Sequence, residues 1–284
     1  MDLIEFATSP WGETVPIHIS FVLMWVAAIG GLAFLIGHAI WVKMFAKPAE
    51  HPAPVSKELA ATIPAKVPRH SLASRMFHWI MSVAMLALLV TAFVPKAGYE
   101  FAWVTYHWIA GLVLTVSIVY HIIHASFWLD FWAIWPDKID IEDGKRRWMR
   151  ATGKDAPAPR KFAKYPMENK LYHFVILLTG LSVTITGLFM MKRIRTPIFT
   201  RNPYMFGDMT WGLMYVLHGL AGVGLIGLIM AHIYFALRPE KFVITKAMIF
   251  GSVDREHYLE HHDPERWVLE TTKKANEQRS GAAV

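Results

Sequence analysis

Five stretches of this chain contain no Asp, Glu, Lys or Arg: residues 17–42, 76–94, 101–129, 171–191 and 209–237, each between 19 and 29 residues long. A helix needs roughly 20 apolar residues to cross the hydrocarbon core of a bilayer, so each run is long enough to span. Hydrophobic residues make up 54% of the 284 and charged residues only 18%, too apolar a balance for a soluble domain. The expected fold is an all-α membrane protein with five transmembrane helices. The first run follows acidic rather than basic residues and ends at Lys43 and Lys47, which reads as a retained helix and not a cleaved leader.

The basic residues alternate between the segments joining these runs. With the N-terminus outside and the C-terminus in the cytoplasm, 24 of the 29 Lys and Arg lie on the inner side, as expected of a multi-pass protein of the bacterial inner membrane. The net charge of +7 is therefore an orientation signal and calls for no nucleic-acid partner. Cysteine is absent, which excludes iron–sulfur clusters held by this chain. The organisation expected is an external tail and additional helix over 1–42 and a Pro-rich loop over 43–75. A four-helix bundle over 76–237 follows, interrupted by a polar loop at 130–170, and then a C-terminal tail over 238–284.

An internal repeat points to the chemistry. His107 is followed by Gly111 and His121, and His218 by Gly222 and His232, with an offset of 111 residues throughout. The preceding runs each carry a histidine near their inner end, His78 and His173. Histidine inside a span is costly and normally faces the bundle interior. Fourteen residues at about 100° each bring two side chains back to nearly the same helix face, about 21 Å apart. Such spacing suits two stacked haems, each taking one imidazole from each of two facing helices. Gly111 and Gly222, one turn from a ligand, would clear room for a porphyrin. Arg75 could pair with haem propionates. His124, one turn from His121, could replace it, and His18 and His38, outside the repeat, read as interfacial residues.

Several short motifs resemble one family jointly. Arg69-His70 with Arg75-Met76-Phe77-His78-Trp79, then His107 with Gly111, Tyr165 through Lys170, His218, His232-Ile233-Tyr234, Met248 through Gly251 and His261 through Pro264 are similar to the formate dehydrogenase gamma-subunit family of membrane b-type cytochromes, over about residues 69–267. The resemblance implies two haem b groups, one held by His107 and His218, the other by His78 and His232. His121, His173 and the leading helix are additions to the family pattern. Exchanging the two hairpins turns the pair His78–His232 into His173–His121, which leaves a third haem open as an alternative count.

The function expected is that of a multi-haem cytochrome b subunit of a respiratory oxidoreductase. It would anchor the complex and carry electrons between an iron–sulfur partner subunit and the quinone pool, the substrate chemistry residing on a catalytic partner subunit. Asn169 and Tyr172 are the candidates for a quinone pocket. The cations Lys192, Arg193, Arg195 and Arg201 offer a docking surface for the partner. Alternative readings are the cytochrome b anchor of a hydrogenase or thiosulfate-reductase-type complex and, from another class, a haem-free proton channel or transporter relaying protons through its histidines.

Overall fold

The computed structural model describes residues 2–45 and 57–269. Five helices are long and apolar enough to cross a membrane: α1 (Val22–Phe45), α3 (Leu72–Phe93), α4 (Trp103–Trp128), α6 (Met167–Met190) and α7 (Asp208–Leu237). The chain folds as two units. One takes the N-terminal residues through α1, with 76–123 and 175–238; the other takes, among the described residues, 57–75, 124–174 and 239–269.

In the first unit the apolar side chains point outward. Val26, Ile29, Leu32, Phe34, Ile36 and Ile40 of α1 are all exposed, as are Val113, Val116 and Val119 of α4. Such a surface is unfavourable in water and ordinary in hydrocarbon, so the solvent of this unit is lipid. Inside, small residues let the helices approach: Ala84, Ala110, Ser117 and Ala221 are buried beside Leu114 and Leu225. Hydroxyls within the spans donate to the carbonyl four residues back, Ser82 to His78, Thr115 to Gly111, Ser117 to Val113 and Thr179 to Val175. These four hydroxyls are thereby satisfied within their own helices in an apolar setting.

The first charge-free run is not helical from its start. An antiparallel hairpin, β1 (Ile4–Thr8) and β2 (Thr14–Ile19), precedes α1, with Ile4 opposite Ile19 and Thr8 opposite Thr14. Its turn passes through Gly12 at φ +86°. The Ser9 hydroxyl accepts from the N–H groups of Trp11 and Glu13 at 3.3 and 3.2 Å. Strand β2 lies along α7. Three extended residues and seven helical ones both advance about 10 Å, which is how Pro16 meets Gly212 while Ile19 meets Gly219. A Cβ at 212 would collide with the Pro16 carbonyl, and one at 219 would come 2.9 Å from Ile19 Cγ1. Further along, a Cβ at Gly31 of α1 would sit 3.2 Å from Met230 Sδ and 3.9 Å from Gly227 Cα.

The second unit is assembled from segments that read as loops and tail. They contain α2 (Lys57–Thr62), α5 (Lys138–Ala151), α8 (Phe242–Phe250) and α9 (Arg255–His261), with β3 (Lys66–Pro68) paired antiparallel to β4 (Ser252–Asp254). Ile63, Val67, Ala247, Val253, Tyr258, Leu259, Trp267 and Leu269 form its core. Helix α8 ends at Gly251, φ +88°, whose carbonyl accepts from the N–H groups of both Arg69 and His70 at 2.8 and 3.0 Å. Arg69 is 3% exposed. Its Nη1 donates to His262 Nε2 at 3.3 Å and its Nη2 to the Lys164 carbonyl at 3.0 Å, while the guanidinium lies over the rings of Tyr165 and Trp267. His262 Nδ1–H donates to the Ala163 carbonyl at 2.7 Å. Burial first, then the neighbouring Arg69 cation, pushes His262 down to about 3, so it stays neutral and accepts from the arginine.

A second polar knot holds α5 to the start of α6. Lys170 Nζ donates to Asp140 Oδ2 at 2.6 Å and to the Trp135 carbonyl at 3.1 Å; Arg266 Nη2 donates to Asp140 Oδ1 at 2.9 Å and to Asp137 Oδ2 at 3.0 Å. Asp137 and Asp140 also form the capping box of α5. Burial would raise the Asp140 carboxyl, but hydrogen bonds from Lys170, the Asp137 backbone and Arg266 outweigh it and hold the group below its ordinary 3.8. Removing one partner of a buried pair costs about 3–5 kcal/mol. Asp140→Ala should cost that much, read as a lower unfolding midpoint of the full chain in detergent. Because the folded carboxyl is depressed, its contribution is complete above about pH 4 and is lost as pH falls further. Limited proteolysis of wild type across that range should show cleavage appearing in 130–170 on acidification, an effect absent if the pair contributes nothing. Gly212→Val should cost about 1–3 kcal/mol by overpacking and open the hairpin to protease at residues 9–13.

Candidate functional site

Four span histidines meet in two pairs. His107 of α4 faces His218 of α7 with ring centres 6.2 Å apart, and His78 of α3 faces His232 of α7, also at 6.2 Å. A direct hydrogen bond between imidazoles would bring the ring centres to about 5 Å. Two metal–nitrogen bonds of about 2 Å, with roughly 1 Å from each nitrogen to its ring centre, give about 6 Å. Both pairs therefore stand at the separation of two imidazoles on opposite sides of one metal atom. Along α7 the two sites are fourteen residues, or about 21 Å, apart.

The first pair has its tautomer set by threonines from the neighbouring spans. Thr91 Oγ1 of α3 lies 2.9 Å from His107 Nδ1, and Thr186 Oγ1 of α6 lies 2.9 Å from His218 Nδ1. Each hydroxyl already donates to a backbone carbonyl, Ala87 for Thr91 and Ser182 for Thr186. It must therefore accept from the imidazole. Nδ1 then carries the proton, and Nε2 presents its lone pair as a neutral ligand does. Both threonines are buried. In the second pair His78 Nδ1 is buried with no hydrogen-bond partner, and the Ser82 hydroxyl is turned to the His78 carbonyl.

The glycines fit a flat macrocycle beside the ligands. A Cβ at Gly222 would meet nothing within 4 Å, and one at Gly111 only Leu88 Cδ2 at 3.9 Å. Gly187 of α6 has a different task, since a Cβ there would stand 3.2 Å from His218 Cε1. The two threonines and Gly187 escaped the sequence reading. Their signal was weak: Thr91 precedes its histidine by 16 residues and Thr186 by 32, so the longer second connection hides the repetition.

The other candidates take varied places. His121 stacks on Phe77, ring centres 4.3 Å apart and planes 7° from parallel. His173 and Tyr172 are half-buried in the second turn of α6, and Asn169 is exposed a turn earlier. Arg75 Nη1 donates to the Ile249 carbonyl, while its Nε is buried without a partner. His124 stacks on Trp128. His18 belongs to β2, with Nδ1 on the Ile19 carbonyl and Nε2 3.5 Å from Glu5 across the hairpin. His38 hydrogen-bonds to Tyr234 of α7. In the 192–208 connection Arg193 lies over the rings of Trp211 and Tyr215, Lys192 lies over Phe199, and Arg201 donates to the Arg193 carbonyl.

Neutral imidazoles paired between apolar helices, with glycines beside them, define a membrane cytochrome of the b type, in which haem supplies one-electron redox chemistry. The chain belongs to the prokaryotic cytochrome b561 family, whose profile matches residues 69–251. The match begins at Arg69 and ends at Gly251, two residues joined by a backbone hydrogen bond of 2.8 Å; the hairpin and α1 lie outside it. No curated protein matches the chain.

Loss of an outer-shell partner typically costs 10–100-fold in affinity at such sites. Thr186→Val should therefore lower haem retention and raise the midpoint potential of one haem, because an imidazole deprived of its acceptor is a poorer donor to ferric iron. A redox titration with an unshifted potential and full haem content would show that the threonine does not act on the ligand.

Proposed function

We propose that this cytochrome is the multi-haem membrane subunit of a respiratory oxidoreductase, carrying electrons between an iron–sulfur partner subunit and the quinone pool. The observation that carries the reading is the pair of imidazole sites at two depths of α7, both at 6.2 Å. Iron held at two levels forms a path across the apolar thickness, which a single site cannot. His107 and His218 would hold one haem b and His78 and His232 the other. Thr91 and Thr186 favour neutral ligation, and Gly111 and Gly222 leave clearance for a porphyrin.

The motifs similar to formate dehydrogenase gamma subunits favour a complex in which a separate catalytic subunit, reached through iron–sulfur clusters, performs the substrate chemistry. The distribution of Lys and Arg supports the bacterial inner membrane, with the N-terminus outside and the C-terminus in the cytoplasm. On that topology the hairpin and the 192–208 connection face outward. Trp11, Ile198 and Tyr204 are exposed there, Tyr204 at 91%. This apolar and cationic face is where the iron–sulfur subunit would dock. A haem-free proton relay is the poorer reading, since imidazoles relaying protons need hydrogen-bonding neighbours on both nitrogens, and 6.2 Å between ring centres is too far for a direct bond.

Wild-type protein should show reduced b-type absorption and two haems per chain in a pyridine haemochrome assay. His218→Ala should lose one of the two, and His78→Ala the other. A colourless preparation, or an unchanged haem count in both variants, would overturn the assignment. Three haems per chain, falling to two in His121→Ala and in His173→Ala, would establish the extra pair as a third site.

A further inference from the structure

Helix α1 lies outside the family match, yet it places a built polar group against α7. His38 Nδ1 lies 3.0 Å from the Tyr234 hydroxyl and 3.4 Å from Arg238 Nη1. A guanidinium only donates, so Nδ1 accepts and the proton of a neutral His38 is on Nε2. Among the described residues Nε2 has no hydrogen-bond partner. The imidazole is ringed by aromatic side chains: Phe34, Trp41, Tyr234 and Phe235 have ring centres between 5.2 and 6.0 Å away. Phe34, Ile40 and Trp41 are exposed on the lipid side, so a molecule dissolved in the bilayer reaches the group laterally.

Position on α7 connects this group to the haem path. Tyr234 follows His232 by two residues, about 200° around the helix and 3 Å along it. The histidine and the tyrosine thus occupy opposite faces of one helix about 10 Å across, so a ring held at His38 lies on the far side of a single helix from the iron that His232 would bind. A neutral hydrogen-bond donor, aromatic walls, lateral access from lipid and proximity to a redox centre together describe the headgroup site of a lipid-soluble quinone. A lone interhelical hydrogen bond would need neither the aromatic ring of walls nor the unoccupied donor.

We propose that His38, Tyr234 and Arg238 form a quinone headgroup site between α1 and α7. This rests on the quinone-linked reading of the protein and replaces Asn169 and Tyr172 as the place of exchange. His38 Nε2–H donates to a quinone carbonyl, Tyr234 and Arg238 hold the imidazole in that tautomer, and Phe34, Trp41 and Phe235 enclose the ring.

Two measurements on the full haem-loaded chain in nanodiscs test it. An azido-substituted quinone, photolysed in place, should label peptides containing Trp41 or Tyr234, with labelling suppressed by excess unlabelled quinone and at least tenfold weaker in His38→Leu. In stopped flow, a short-chain quinol should reduce the wild-type haems, each quinol oxidised giving two electrons to ferric iron and two protons to water. The rate should fall at least tenfold in His38→Leu and less in His38→Gln, which keeps a donor, with the dithionite-reduced spectrum unchanged in both. Wild-type rates in His38→Leu, or labelling confined to the 167–174 segment, would overturn this site and leave the quinone-linked reading standing. Haems in wild type that no quinol reduces and no quinone reoxidises would overturn that reading and the site together.

Discussion

The hydrogen bond between a threonine hydroxyl and the Nδ1–H of a span histidine is the interaction on which the centre of this protein depends. In an apolar interior a polar atom without a partner costs about 1–3 kcal/mol, and an imidazole has two nitrogens to satisfy. Thr91 and Thr186 satisfy one nitrogen each, at 2.9 Å. By spending their own protons on backbone carbonyls, they leave the imidazole no choice of tautomer. Nε2 of both rings is then an acceptor. Two such lone pairs in an apolar bundle call for an electrophile. Haem iron meets that requirement, and the 6.2 Å between ring centres leaves it room.

The second pair solves the same problem with less protein. His78 Nδ1 is buried and unpartnered, so that imidazole lacks the acceptor that His107 and His218 each have. An imidazole without such an acceptor donates less to ferric iron, so iron held there would differ in potential from iron held by the first pair. Ser82, one turn further along the same helix, turns its hydroxyl to the His78 carbonyl.

Much of this was legible in the sequence because lipid imposes a simple rule on composition. The charge-free runs located all five spans, and the spacing of fourteen residues placed His218 and His232 on one face of α7. The ends of the helices were less legible. Helix α6 begins at Met167 and carries Lys170 in its first turn, since that charge is neutralised by Asp140 from a segment thirty residues away. Residues 17–19 belong to a strand because Gly212 and Gly219 leave a groove for it on α7, a fact of α7 and not of the segment itself. The second unit was illegible for a related reason. Its core residues Ile63, Val67, Val253, Tyr258 and Trp267 come from stretches nearly two hundred residues apart, each too short to show a period.

Helix α7 also explains why an additional helix can be joined to the family's part of the chain without disturbing the paired histidines. At about 100° per residue, Gly212, Gly219, Gly227, Met230 and Tyr234 fall within one arc of about 80°, the face contacted by β2 and α1. His218, Gly222, Leu225 and His232 fall within another arc of about 80° on the opposite side. Any residue larger than glycine at 212 or 219 would push the hairpin away from the first face, but it would not reach the second. The two faces are sterically independent and yet lie only one helix diameter apart. A helix added on the outside therefore acquires a position next to the paired histidines at no cost to their geometry. Tyr234, two residues from His232, is the point at which that proximity takes chemical form.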